Sequence, residues 1–138
     1  MKISFIGYKE SSINIFPALA KELSKKISGL ELEERFAPDL EDIPEIALEC
    51  SIESEFIVVF ALTEEKNLIE PIKEKLIDVE IKSNVRILKE INENSLSSLD
   101  EGDYLEEKDV LVKELSQKIL DILFNETAFE PEDKDFGL

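Results

Sequence analysis

The chain has 138 residues, 43% apolar and 36% charged, enough for one domain with a single core and too apolar for a disordered segment. Its Lys and Arg number 16 against 33 Asp and Glu, a formal charge of −17 that opposes nucleic-acid phosphates and anionic membrane surfaces alike. With no histidine and one cysteine, Cys50, the sequence excludes zinc centres, intramolecular disulfides and His-based nucleophile systems within one chain.

Met1 and Lys2 lead straight into a short apolar strand with no signal-peptide pattern, and the longest apolar run, Phe56 to Leu62, is too short to span a bilayer. Cytoplasm is the expected compartment. Arginine is confined to Arg35 and Arg86 beside many Lys, Glu and Ile, an archaeal-like habit of thermophiles that AT-rich genomes share.

Lys2 to Gly7 reads as a first strand that stops at the glycine. Ile13, Phe16, Ala20, Leu23 and Ile27 then recur at spacings of three and four and predict a helix, with Asn14 as N-cap, Pro17 in the first turn and Gly29 closing it. Residues 30–36 alternate as a half-exposed second strand. Asp42-Ile43-Pro44-Glu45 forms a capping box that opens a short helix ending near Cys50 or Ser51. Residues 55–62 are continuously apolar and β-branched, as a central parallel strand covered on both faces should be. Asn67 and Glu70 offer another capping box, with Leu68, Ile69, Ile72 and Leu76 as an inner helical face. Residues 85–89 read as a fourth strand, and 92–109 as a polar connection carrying seven acidic side chains and one Lys. Leu111, Leu115, Ile119, Ile122 and Leu123 define a long last helix.

The order βαβαβαβα and the right-handed crossover rule predict a three-layer α/β/α sandwich around a four-stranded parallel sheet, with residues 55–62 in its interior. One domain covers residues 1–125 and an acidic tail covers 126–138, where Phe129 and Phe136 could anchor on the body or on a neighbouring subunit.

Ligands of open parallel sheets bind outside the carboxyl ends of the strands. Four segments converge there: Gly7 to Ser12, Ala37 to Asp42, Thr63 to Asn67 and Asn92 to Ser95. In the first, Gly7 permits a sharp turn, Tyr8 offers a ring for stacking, and Lys9 a positive charge. Ser11, Ser12 and Asn14 sit at a helix N-terminus whose N–H groups favour an anion, although serine and asparagine there also serve simply as caps. Asp39, Glu41 and Asp42 form an acidic turn that could hold a divalent cation or act as an acid–base pair, or else cap and solvate a helix start. Thr63, Lys66 and Asn67 end the central strand without phosphate-binding glycines, and no dinucleotide or P-loop motif is present. Cys50, on the apolar side of a helix, reads as a small core residue.

Three segments resemble the lumazine synthase and archaeal-type riboflavin synthase family: Phe5 to Ser12 as first strand and Ser-containing loop, Phe36 to Ala47 with Asp42-Ile43-Pro44 on the family's acidic-Leu-Pro helix start, and Glu55 to Leu62 as its apolar central strand. The chain departs from that family at Thr63-Glu64-Glu65-Lys66, where the family loop is glycine-rich, and in lacking its histidines. The resemblance implies a flavodoxin-like or lumazine-synthase-like fold, a cyclic homo-oligomer, and a transferase-type site altered in its active groups. The expected ligand is a planar heterocycle, a pteridine, flavin or nucleotide, at the strand ends. The alternative is a non-catalytic accessory or assembly protein whose acidic surface meets a basic partner. The sequence assigns no cofactor and no resident metal.

Overall fold

The structure, a computed structural model, describes residues 1–11, 13–93 and 101–124, the side chains of 101–104 excepted. Four strands and four helices alternate: β1 (Lys2–Tyr8), α1 (Phe16–Lys26), β2 (Glu31–Ala37), α2 (Ile43–Cys50), β3 (Phe56–Thr63), α3 (Lys66–Ser83), β4 (Arg86–Glu93) and α4 (Glu101–Phe124). The strands form one wholly parallel sheet in the order β2-β1-β3-β4. That order reverses between β1 and β3, as in flavodoxin-like sheets. All eight residues of β3 are buried, and its place inside the sheet is the one its apolar run predicts.

Side chains of β3 alternate between two cores. Phe56, Val58, Phe60 and Leu62 join Leu19, Leu23, Leu115 and Ile119, so α1 and α4 cover one face. Ile57, Val59 and Ala61 join Ala47, Ile72 and Leu76, so α2 and α3 cover the other. Cys50 is buried and free in the second core, where burial pushes its thiol pKa up, as befits a small core residue. Ser4, fully buried on the same side, is hydrogen-bonded to Ser54 and Glu33 near the amino end of the sheet. Among the described residues, every buried side-chain polar atom has a partner.

Helix starts differ in detail from their sequence signatures. The Asp42 box is displaced by one turn: a 3₁₀ turn at Leu40–Asp42 precedes α2, and the Asp42 carboxylate reaches back to accept the Asp39 N–H at 3.3 Å. Asp42 therefore serves the preceding turn and makes no side-chain cap of α2. Asn67 lies inside α3, whose entry is held by Thr63 Oγ1 accepting the Glu65 N–H at 3.0 Å. Ile15 is the N-cap of α1, with Pro17 in the first turn, and Asn14 Oδ1 accepts the Phe16 N–H at 3.0 Å from one position earlier. Gly29, at φ 69°, makes the left-handed exit from α1.

The expected polar connection at 92–109 is shorter than its composition suggested. β4 continues to Glu93 and α4 begins at Glu101. From Leu105 to Val110 α4 carries no buried apolar stripe: Leu105 is 55% and Val110 47% exposed. The tail from 126 lies outside the described residues, as do Ser12 and residues 94–100.

The β4 edge is closed by side chains. Glu80 Oε2 accepts the Ile87 N–H at 2.8 Å, and Lys89 Nζ donates to the Ile87 carbonyl at 2.9 Å and to Glu80 Oε1 at 2.6 Å. An edge strand so occupied cannot template a further strand at that residue. Among the described residues, no helix is long and apolar enough to cross a membrane.

Candidate functional site

Parallel strands in register bring equivalent positions side by side, and at the carboxyl end of this sheet the register is Phe36, Gly7, Phe60. Their side chains share the α1 face. Glycine in the middle lets the Phe36 ring and, from α1, the Phe16 ring close over the strand at that position. A Cβ on Gly7 would stand 2.8 Å from the Phe36 ring and 2.9 Å from the Phe16 ring. Phe16 stacks on Phe5 with centroids 4.9 Å apart and meets Phe36 at 5.9 Å and 47°. The result is a cavity of about 380 Å³, within the size range of small-molecule sites.

Gly7, Tyr8, Lys9, Ser11 and Asn14, five of the residues singled out in the sequence, line it. The loop that presents them is a β-turn in which the Ser11 N–H donates to the Tyr8 carbonyl at 3.0 Å, while the Lys9 N–H donates to the Ala37 carbonyl at 3.0 Å. Ser11 Oγ accepts the Leu62 N–H at 3.0 Å, which ties the loop to the end of β3. That serine is thus a structural tie between two strand ends. Ser12 is outside the described residues.

The remaining candidates lie elsewhere. Asp39 and Asp42 are engaged in their own turn, and Lys66 pairs with Glu93 at 3.0 Å. Asn67 is exposed in the first turn of α3. Among the described residues, no three carboxylates or thiols converge as metal ligands. Thr63 lines a second cavity of about 330 Å³ with Glu10, Glu64 and Glu65. Tyr8 borders both cavities, and its hydroxyl donates to Glu10 Oε2 at 2.7 Å. That hydrogen bond, then burial, then the charges of Glu10, Glu65 and Asp39 push the phenol pKa up to about 12.

Phe16, Phe36 and Phe60 form the walls, and sequence reading does not single them out as site residues. Phe16 looks like one more member of a helical apolar face, and Phe60 like one more core residue. Their shared position around Gly7 follows from register, which pairs residues far apart in the chain. The chain matches no protein-family model and no curated protein.

Two predictions follow from this geometry. Gly7→Ala will destabilise the fold by about 1–3 kcal/mol, the usual cost of overpacking. Combined with Phe36→Ala it will cost less, because Phe36 is 37% exposed and its removal relieves the nearer clash, while the fully packed Phe16 keeps part of the penalty. Chemical denaturation of the four species of the cycle measures the coupling. The second concerns Tyr8. Because its pKa rises from 10.0 to about 12, the folded chain holds the phenol proton where the unfolded chain has lost it. Stability present below the lower value is therefore lost as pH climbs towards the upper one. Tyr8→Phe will flatten that alkaline loss in melting temperature; an unchanged slope would refute the assignment.

Proposed function

We propose that this chain binds a planar heterocycle, a pteridine, flavin or nucleotide, in the aromatic cavity at the carboxyl ends of β1, β2 and β3. The apolar cavity lined by Phe16, Phe36 and Phe60 beside Gly7 is the observation that carries this reading. Its lining is mostly aromatic and apolar, and it lies beside the reversal of strand order, where doubly wound sheets hold ligands. Rings stack on such walls with a favourable contribution beyond their buried area. Polar groups at the mouth, from Lys9, Ser11 and Asn14, suit the edge of a heterocycle. Transfer chemistry of the lumazine or riboflavin synthase type has thinner support, since the lining offers one amine and a phenol whose pKa, already well above neutral, is raised further.

Self-association belongs to the same reading, with a second copy as the partner. On α3, Ile77 and Ile81 are 44% and 73% exposed, and Ile81 borders a groove of about 790 Å³ along β4 with Leu88 and Ile122. Glu55 and Glu80 on this groove are balanced by Arg86 and Lys89. A net charge of −17 repels copies in general, but a locally balanced apolar face lets two meet.

A thermal-shift series with lumazine, riboflavin and adenosine tests the site. At least one will raise the melting temperature of the native chain by mass action, and Phe36→Ala will diminish the shift. If none does so on a chain that melts cooperatively, the accessory reading with a basic partner gains and the heterocycle reading falls. Light scattering tests the assembly: the native chain will be at least dimeric at tens of micromolar, and Ile81→Lys will return it to monomer. A monomeric native chain ends that part of the reading.

A further inference from the structure

We propose that the aromatic cavity selects heterocycles without a phosphate: its ligand is an uncharged or cationic ring compound, and the phosphorylated form of the same compound is disfavoured. This rests on the heterocycle reading above and narrows it by charge.

A phosphate site in a doubly wound fold needs free amides at a helix N-terminus or a loop nest, usually with basic side chains. Here several of those donors are spent internally. At the start of α1, the Phe16 N–H is taken by Asn14 Oδ1, Pro17 has none, and the Leu19 N–H is bonded to the Ile15 carbonyl at 2.9 Å. Among the first-turn amides of α1 this leaves Ala18 for a phosphate. In the neighbouring loops, Lys9, Ser11, Leu62, Glu65 and Lys66 all donate their amides to protein oxygens. These amides are engaged within the loops and are not offered to an anion.

Charge points the same way. Lys9 is the one formal cation on the cavity lining. Across Tyr8, the adjoining cavity presents Glu10, Glu64 and Glu65, and Lys66 is already paired with Glu93. The upward shift of the Tyr8 phenol registers the same negative environment, with Glu10, Glu65 and Asp39 as its charged sources. A doubly charged phosphate entering beside Tyr8 meets more carboxylate than ammonium. An uncharged ring edge, or one bearing an amine, meets acceptors.

The test is a matched pair, riboflavin and its monophosphate, titrated into the full chain at low and high salt and followed by flavin fluorescence and calorimetry. The unphosphorylated form will bind about tenfold more tightly at low salt, roughly what one extra unfavourable charge contact contributes. The gap will narrow as salt rises, because screening weakens an exposed field. Replacing Glu10→Gln together with Glu65→Gln will raise affinity for the monophosphate several-fold and leave riboflavin little changed. Equal or tighter binding of the monophosphate to the native chain overturns the charge inference and leaves the heterocycle reading standing. A preference that survives the double substitution also overturns it, since the carboxylates would then not be the cause. If neither form, nor lumazine or adenosine, binds, the heterocycle reading falls and this inference with it.

Discussion

The strand Phe56–Thr63 has no face on which to meet water, and the rest of the architecture is a response to that constraint. Its backbone is satisfied by β1 on one side and β4 on the other, and its side chains project alternately into two cores. A strand buried on both faces requires two helical layers, and parallel neighbours require long crossovers to return the chain to the starting end. Crossovers of one hand then determine which helix lies on which face. Helices α1 and α4 meet over one side and α2 and α3 over the other, and the described strand-to-helix loops emerge at a single end.

Within that frame the cavity needs little special construction. Three adjacent parallel strands in register give three side chains side by side on one face. Large rings at all three positions would close the surface. Glycine at the middle one subtracts a side chain, while α1 brings Phe16 close enough that no Cβ fits. Gly7 is thus covered by the Phe36 and Phe16 rings, and the cavity opens beside them. Phe16 is itself held in place by stacking on Phe5.

The sequence was informative where interactions are local or strongly patterned, and silent where they are not. The apolar run at Phe56–Leu62 could hardly be anything but a central strand, and α1 was legible from its three- and four-residue spacing. Caps were harder. Asp39 and Asp42 are both good cap types one turn apart, and Thr63 competes with Asn67; which of them caps depends on the path by which the loop enters the helix. The start of α4 was invisible because its first turns carry no apolar stripe to mark them. At the site, Gly7, Tyr8, Lys9, Ser11 and Asn14 were recognisable from their place after the first strand. Phe36 and Phe60 were not, because register is a relation between residues far apart in the chain. Ser11 has a structural part that its position in sequence did not announce: its hydroxyl oxygen accepts the Leu62 N–H at the end of β3.

Tyr8 joins the structural and electrostatic arguments. It is the last residue of β1, buried in the α2–α3 core, yet it borders both the aromatic cavity and the acidic one. Its proton is held towards Glu10, so at neutral pH the wall between the two cavities is an uncharged phenol. A phenolate there would add negative charge to a rim already short of cations, and the surrounding carboxylates oppose its formation. The acidic composition, which at the level of the whole chain argues only against nucleic acid and membranes, thus acquires a local meaning at this residue. It raises the Tyr8 pKa further, and it imposes a sign on whatever approaches the cavity beside it.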